Sequence, residues 1–187
     1  MRHFIYIPGL GDRYDGIRRL GLKLWPRKDV RVSHVPMNWL DPVETLESKL
    51  ERLKTFISAH PDHEVTLVGE SAGGAMALVA SHRFKDLVHE TVTLCGMNRG
   101  IGSVSPTLFK SNRAFFDAMV EAEKVISGLT SEDKSKLHII YSSADITVRP
   151  KNSLISGVTS HDLKTPGHAF AILNVLFFRF KLITHRR

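Results

Sequence analysis

The chain has 187 residues, of which 42% are hydrophobic and 24% are charged, and its formal net charge is +7. This size and composition are typical of one globular domain and exclude disordered, collagen-like and disulfide-rich classes. Lys and Arg are scattered in short groups such as RRLGLKLWPRK and KLERLK. We expect most of them on solvated helix faces and, without a long basic run or interleaved aromatic residues, we expect no nucleic-acid partner.

The cysteine and the apolar runs indicate the compartment. Cys95 is the single cysteine and follows the apolar run TVTL, which favours a buried, reduced thiol in a cytoplasmic protein. The first apolar run stops at Pro8, too early for a signal peptide, and AILNVLFF stops at Arg179, too early to span a bilayer. We therefore expect no stable membrane insertion. The terminal apolar run is predicted to pack a helix on the sheet, with peripheral contact to an anionic membrane as the alternative.

Six short runs rich in β-branched residues predict strands. They are FIYI (4–7), VRVSHV (30–35), EVTLV (64–68), VHETVTL (88–94), LHIIYS (137–142) and GVTSHDL (157–163). Helical patterns lie between them, and this alternation indicates a parallel sheet, because each crossover must carry the chain back along the sheet. We therefore predict one α/β domain over residues 1–187, a doubly wound and mostly parallel sheet of about six strands with helices on both faces.

The clearest helical pattern spans residues 42–59. Asp41 is the predicted N-cap, Pro42 suits the first helical position and Glu44 completes a capping box. The His-Pro step at 60–61 ends the run. The apolar residues fall three or four positions apart on one face, and they are Val43, Leu46, Leu50, Leu53 and Ile57.

The longest irregular stretch covers residues 96–113 and is followed by a predicted helix at 114–126, which Gly128 would close. An irregular stretch of this length in a compact domain is more often functional than idle. We therefore predict a small cap or lid within residues 96–128.

The segment VTLVGESAGGAMALVA (65–80) turns from a strand into a helix around Ser71. A residue at such a corner takes a strained conformation, and the glycines at positions 69 and 73 remove side chains that would collide with the neighbouring elements. The hydroxyl is pushed out at the helix N-terminus, where unpaired N–H groups favour negative charge. This geometry is typical of a nucleophile, whereas the alternative is a turn serine beside glycines that serve only close packing. Glu70 is expected to point away from the line of attack, where it either supports the site from behind or faces solvent, and it is assigned no chemistry.

An acid and a base follow in the chain. Asp145 comes just past the strand LHIIYS, where ligands gather in open α/β sheets, although a turn or cap aspartate is the alternative. Asp133 and Asp162 fit less well, since the first precedes its strand and the second lies at the end of the last one. His168 stands in a Pro/Gly turn that opens a helix, whereas His161 lies inside a strand.

With these motifs in place, nearly the whole chain resembles the α/β-hydrolase superfamily, in which a glycine-rich turn, a nucleophile, an acid and a histidine follow in that order. The turn is Pro8-Gly9-Leu10-Gly11-Asp12, with proline where the family commonly has histidine. The resemblance implies a catalytic triad of Ser71, Asp145 and His168. It also implies that the backbone N–H groups of Leu10 and Ala72 hold an oxyanion, and that the chemistry requires no metal and no organic cofactor.

The resemblance further implies a minimal serine hydrolase, similar to a carboxylesterase or thioesterase, that cleaves an ester or thioester of a small or short-acyl substrate. A serine at position 71 argues against dehalogenase and epoxide-hydrolase chemistry. Other chemistries of the same triad stay open, namely amide hydrolysis, acyl transfer, C–C bond cleavage and lyase chemistry. An inactive binding or interaction module is the further alternative. The small acyl pocket is expected to be bordered by Gly9, Met37, Trp39 and Met97.

Overall fold

The computed structural model describes residues 1–25 and 28–185. Six strands form one sheet in the order β2-β1-β3-β4-β5-β6, and every neighbouring pair is parallel. This confirms the predicted sheet, with each strand inside or within two residues of its predicted segment. The strands are β1 (Arg2–Ile7), β2 (Val30–His34), β3 (Glu64–Glu70), β4 (Glu90–Leu94), β5 (Leu137–Tyr141) and β6 (Thr159–Asp162).

Helices connect the strands, and short 3-10 turns occur at Asp12–Tyr14 and Ile101–Ser103. The α-helices of the described residues are α1 (Asp15–Leu22), α2 (Leu46–Ser58), α3 (Gly73–Arg83), α4 (Pro106–Ser111), α5 (Arg113–Gly128), α6 (Ser131–Ser135), α7 (Pro150–Ser153), α8 (His168–Phe177) and α9 (Lys181–Thr184).

The alternation of side chains along the strands divides the core into two layers. Ile5 and Ile7 of β1 pack on one face of the sheet with buried residues of α2, α3 and α5. Phe4 and Tyr6 pack on the other face with buried residues of α1, α8 and α9. Helices therefore cover both faces, as the doubly wound prediction requires.

The C-terminal apolar run forms α8, whose inner residues lie in the second layer of the core: Ala171, Ile172, Val175 and Leu176. The helix thus packs on the sheet, as the sequence predicts. Among the described residues, no helix combines the length and apolar character needed to cross a bilayer. The end of the basic tail, residues 186 and 187, lies outside the described residues.

The predicted start of the second helix was wrong. Its N-cap is Thr45, whose Oγ1 accepts a hydrogen bond from the N–H of Ser48 at 3.2 Å. Asp41 instead accepts a hydrogen bond from the N–H of Val43 at 2.9 Å. This local turn holds Pro42 and Val43 outside the helix, because a short Asp side chain that bonds two residues ahead competes with helix formation. Val43 is accordingly 83% exposed rather than part of the core face.

The predicted capping box at Glu44 was also wrong. Its carboxylate pairs with the side chains of Lys49 and Arg52 instead of returning to the backbone. Lys49 is fully buried, and its ammonium also donates to the carbonyl oxygens of Met37 at 2.5 Å and Asn38 at 2.9 Å. The expectation that Lys49 lies on a solvated helix face was therefore wrong. A buried cation is tolerated where several acceptors surround it.

The stretch after β4 contains more regular structure than predicted. Arg113–Gly128 is the crossover helix between β4 and β5, and its inner residues, among them Phe115 and Met119, belong to the core. Gly128 is the last helical residue and Leu129 is the C-cap, so the helix closes at the predicted glycine and runs two residues past the predicted end at 126. We therefore confine the cap prediction to residues 96–112.

The chain leaves β1 and β3 toward opposite faces of the sheet, although these strands are neighbours. β1 leads to α1 in the second core layer, whereas β3 leads to α3 in the first. In open α/β sheets a crevice forms at such a switch point, beyond the carboxyl ends of the strands. The turn at residues 8–11 and Ser71 therefore border the same crevice.

A histidine cluster lies at the other end of β1. His3 is 1% exposed, its ring centroid is 5.5 Å from that of His60 and 6.1 Å from that of His63, and its Nε2 is 2.8 Å from the Ser33 hydroxyl. Burial, followed by the charge of Arg31 and of the neighbouring histidines, lowers the pKa of His3 to about 4. The stability that the neutral imidazole contributes is therefore fully present above the unfolded-state pKa of 6.5. It is lost as the pH falls toward 4, because the unfolded chain then binds a proton at this residue more readily than the folded one.

We predict that the wild-type free energy of unfolding falls by about 3 kcal/mol more between pH 7 and pH 4 than that of His3→Gln, because each tenfold change in proton affinity is worth about 1.4 kcal/mol. Urea unfolding of both proteins at the two pH values measures this difference. His161→Gln is the control, since His161 is exposed and its replacement should leave the wild-type dependence. Equal pH dependence of wild type and His3→Gln would contradict the prediction.

Candidate active site

The β3–α3 turn is built around a strained serine. Ser71 has a φ of 51°, in the left-handed region, which costs a residue with a side chain roughly 1–2 kcal/mol. A Cβ added to Gly69 would lie 2.3 Å from the carbonyl oxygen of Gly73, and one added to Gly73 would lie 2.3 Å from that of Ile7. Only glycine fits at both positions, so α3 can leave the strand directly after Ser71.

Three side chains that are distant in sequence meet at this turn. Oγ of Ser71 lies 2.9 Å from Nε2 of His168, and Nδ1 of the same imidazole lies 2.6 Å from Oδ2 of Asp145. An ionised carboxylate only accepts hydrogen bonds, so Nδ1 carries the proton and Nε2 is free to accept one from the hydroxyl. The structure thus joins the sequence-predicted side chains in one hydrogen-bonded chain.

The carboxylate of Asp145 is held ionised inside the protein. Its side chain is 1% exposed, and Oδ1 accepts the N–H groups of Thr147 at 2.9 Å and Val148 at 3.0 Å. Burial opposes ionisation, but the hydrogen bond and charge of His168 and these backbone donors outweigh it, so the pKa of Asp145 lies below its ordinary value. The carboxylate can therefore orient the imidazole and stabilise its protonated form.

The other acid and base candidates have different surroundings. Asp133 forms a reciprocal capping box with Thr130 at the start of α6. Asp162 accepts the N–H groups of Ser143 and Lys164, both at 2.9 Å, in the turn after β6. His161 is exposed on β6. The preference for Asp145 and His168 is therefore consistent with where the structure places all of these residues.

The glycine-rich turn lies directly against the serine. A Cβ added to Gly9 would stand 2.6 Å from Cβ of Ser71, and Gly11 has a left-handed φ of 94°. In the described part of the chain, no backbone hydrogen bond outside the helices and strands uses the N–H of Leu10 or of Ala72. Both N–H groups belong to the turns that flank the crevice, and their role as oxyanion donors stays a prediction.

Three further residues were expected to border the pocket. Met37 is fully buried in the first core layer, and Trp39 is 1% exposed and donates its indole N–H to the carbonyl oxygen of Pro8 at 3.0 Å. Met97 is 6% exposed, and its N–H donates to the carbonyl oxygen of Ser71 at 2.8 Å. Trp39 through its indole and Met97 through its backbone N–H thus contact carbonyl groups of the turns of the site. Contact of any of the three residues with substrate stays a prediction.

Cys95 follows β4 and lies close to the acid and the base. Its Sγ, a carboxylate oxygen of Asp145 and a ring nitrogen of His168 are all within 4.8 Å of one another. Burial, followed by the charges of Asp145 and Glu70, raises the pKa of the thiol well above its ordinary range. A protonated thiol is a poor metal ligand, and the other two groups are already hydrogen-bonded to each other, so the trio does not indicate a metal site. The thiol is fully buried, as the sequence predicts.

A buried ion pair that was not predicted from the sequence lies beside the serine. Glu70 is 2% exposed and binds the guanidinium of Arg18 through Nε at 2.8 Å and Nη2 at 2.7 Å. The Tyr6 hydroxyl also donates to Glu70. Arg18 is 6% exposed, so its expected place on a solvated helix face is corrected. One sequence signal could have revealed the pair: a carboxylate between a buried strand and a turn serine requires a buried cation nearby.

A parallel sheet with a strained serine at its switch point, hydrogen-bonded through a histidine to an aspartate, defines the class of α/β hydrolases. The sequence pattern described as "alpha/beta hydrolase fold" matches residues 32–161, more than half of the chain. The chain belongs to this family. No curated protein matches it.

Solved structures show the same fold at low sequence identity. An alpha/beta superfamily hydrolase from Oenococcus oeni PSU-1 is 14% identical, with a TM-score of 0.66 over 99% of this chain and 92% of that one. The ydeN gene product of B. subtilis is 17% identical, with a TM-score of 0.62 over 99% and 98%. A serine hydrolase involved in carbazole degradation, the CarC enzyme, is also 17% identical, with a TM-score of 0.57 over 99% and 89%.

We predict that Gly69→Ala lowers the free energy of unfolding by roughly 1–3 kcal/mol, since the new methyl group would collide with backbone that cannot move cheaply. Gly16→Ala is the matched control, because Gly16 lies in α1 with no atom within 4 Å of the added Cβ. The free energy of unfolding of this control should rise by about 0.5–1 kcal/mol, because alanine has a higher helix propensity than glycine. Urea unfolding measures both, and equal stability of the two variants would refute the steric account of the turn.

Proposed function

We propose that this hydrolase-family chain is a serine hydrolase that cleaves an ester or thioester bond of a small or short-acyl substrate. The observation that carries the proposal is the continuous hydrogen-bonded chain from Asp145 through His168 to the hydroxyl of Ser71. The strained turn supports it, since a side chain held at a left-handed corner projects from the sheet instead of folding back on it.

In the proposed mechanism, Nε2 of His168 takes the proton of Ser71 as the oxygen attacks the acyl carbon. Asp145 fixes the tautomer in which Nδ1 carries a proton and stabilises the imidazolium that forms. The protonated imidazole then gives its proton to the leaving alcohol or thiol, which leaves an acyl group on Ser71. Water attacks this ester with the same imidazole as base, and the acid product departs.

The tetrahedral oxyanion formed in both steps needs preorganised donors. The N–H of Ala72 lies immediately before α3, where the helix dipole also favours negative charge. The N–H of Leu10 comes from the turn that packs against Ser71. Two such donors lower the barrier because they are aimed at charge that develops only in the transition state.

The first test is active-site labelling. We predict that a fluorophosphonate modifies wild type at Ser71, that Ser71→Ala is not modified there, and that His168→Ala is modified far more slowly. Asp145→Asn should lower kcat for p-nitrophenyl acetate by roughly 10³–10⁴-fold, because the imidazole then loses its tautomer control. Peptide mass spectrometry and steady-state kinetics supply the readouts.

His161→Ala is the control for the labelling test, since that imidazole is exposed on β6 and away from the serine. It should label and turn over like wild type. An unlabelled Ser71 in folded wild-type protein would overturn the hydrolase proposal and favour the binding-module alternative. Product formation only in the presence of an added alcohol or amine acceptor would favour acyl transfer.

The second test concerns the acyl group. We predict that kcat/KM for p-nitrophenyl esters falls from acetate and butyrate to decanoate, because Gly9, Trp39 and Met97 pack closely around the turns of the site. A preference for decanoate would contradict the short-acyl proposal. It would instead favour use of an open groove of about 650 Å³ in the 101–116 segment, whose apolar lining includes Val104, Phe109 and Phe116.

A further inference from the structure

The guanidinium of Arg18 has all five of its N–H donors within reach of acceptors, and these link the two sides of the site. Nε and Nη2 bind the two carboxylate oxygens of Glu70, and Nη1 binds Asp15 at 2.9 Å. The remaining contacts go to the glycine-rich turn: Nη1 to the carbonyl oxygen of Gly11 at 2.9 Å and Nη2 to that of Leu10 at 3.4 Å. Arg18 thus connects the residue before Ser71 to the opposite turn.

We propose that Arg18, clamped by Glu70, is a positioning residue that holds the oxyanion turn in register with Ser71. This inference rests on the proposed function. The planar guanidinium binds Glu70 as a two-pronged fork, so its orientation is fixed by a side chain that is itself held in β3. The peptide planes that follow Leu10 and Gly11 are fixed in turn, and Trp39 holds the carbonyl group of Pro8 on the other side. The peptide plane between Gly9 and Leu10, which carries the Leu10 N–H, is therefore held from both of its ends.

The energetics of the Arg18–Glu70 ion pair indicate that its main contribution is to position the turn rather than to stabilise the fold. A buried ion pair can often be replaced by apolar residues at little cost to stability, whereas removal of one partner alone leaves an uncompensated charge. Hydrophobic contacts are non-directional, but hydrogen bonds set the direction of a carbonyl group. In addition, without Arg18 the carboxylate of Glu70 would keep its hydrogen bond from Tyr6 but would have no cation to neutralise its charge beside Ser71.

Arg18→Lys tests the fork, because it keeps the positive charge and removes the planar pair of donors. We expect kcat for p-nitrophenyl acetate, per active site, to fall roughly ten- to a hundredfold with KM changed less than threefold. The reason is that a misdirected oxyanion donor weakens binding of the transition state but not of the substrate. Complete loss of one donor lowers kcat by roughly 10²–10³-fold. Active sites are counted by fluorophosphonate labelling carried to completion.

A second readout separates positioning from simple loss of structure. Phenylboronic acid adds to the serine hydroxyl and places a boronate oxygen where the oxyanion forms. Its inhibition constant should rise in Arg18→Lys about in proportion to the loss of kcat/KM. A purely structural defect would lower the number of active sites and leave both KM and this inhibition constant unchanged.

Arg83→Lys is the matched control, since Arg83 makes a similar two-pronged contact, to Glu121, on α3 and does not contact the turn. It should match wild type. If Arg18→Lys does not fold, Glu70→Gln tests the same clamp, because it keeps the shape and removes the charge. Wild-type kcat and boronate affinity in the folded Arg18 or Glu70 variant would overturn the positioning inference alone. An unlabelled, inactive wild type would overturn it together with the hydrolase proposal.

Discussion

The left-handed backbone at Ser71 is the constraint on which the rest of the site depends. Its N–H donates to the carbonyl oxygen of Leu94 at 3.1 Å, and its own carbonyl oxygen accepts from Gly74 at 2.9 Å and Met97 at 2.8 Å. The strained conformation therefore cannot relax without the loss of several hydrogen bonds, which is how surrounding structure maintains an unfavourable φ. The elements on both sides of the turn are fixed by the same contacts.

The parallel sheet explains why residues 71, 145 and 168 meet, since all three follow the carboxyl ends of strands at one edge. β3 and β5 are separated by β4, so the serine and the aspartate start from strands roughly 10 Å apart at the usual strand spacing. An imidazole from the turn after β6 spans this gap. Cys95, which directly follows the intervening β4, has a left-handed φ of 45°, and its Sγ lies within 4.8 Å of a carboxylate oxygen of Asp145 and a ring nitrogen of His168.

The sequence predicts the sheet and the three hydrogen-bonded side chains well because both depend on local signals: β-branched runs set the strands, and small residues around Ser71 and His168 mark the turns. It predicts helix starts less well, since Asp41 and Thr45 are both good caps. The choice between them depends on the turn that Asp41 forms with Val43 and on the ion pairs of Glu44. Arg18 was missed because its partner is 52 residues away, and local periodicity carries no information about such a pair.

The glycine-rich turn at residues 8–11 is held from both faces of the sheet by polar contacts. Arg18 of α1 reaches the carbonyl oxygens of residues 10 and 11 from the side of the second core layer, and Trp39, in the first layer, donates to that of Pro8. Apolar packing alone would leave the peptide planes free to rotate, because it is proportional to area and has no preferred direction. Hydrogen bonds to the carbonyl oxygens of Pro8, Leu10 and Gly11 restrict three peptide planes of the turn, and the plane between Gly9 and Leu10, which carries the Leu10 N–H, lies between them.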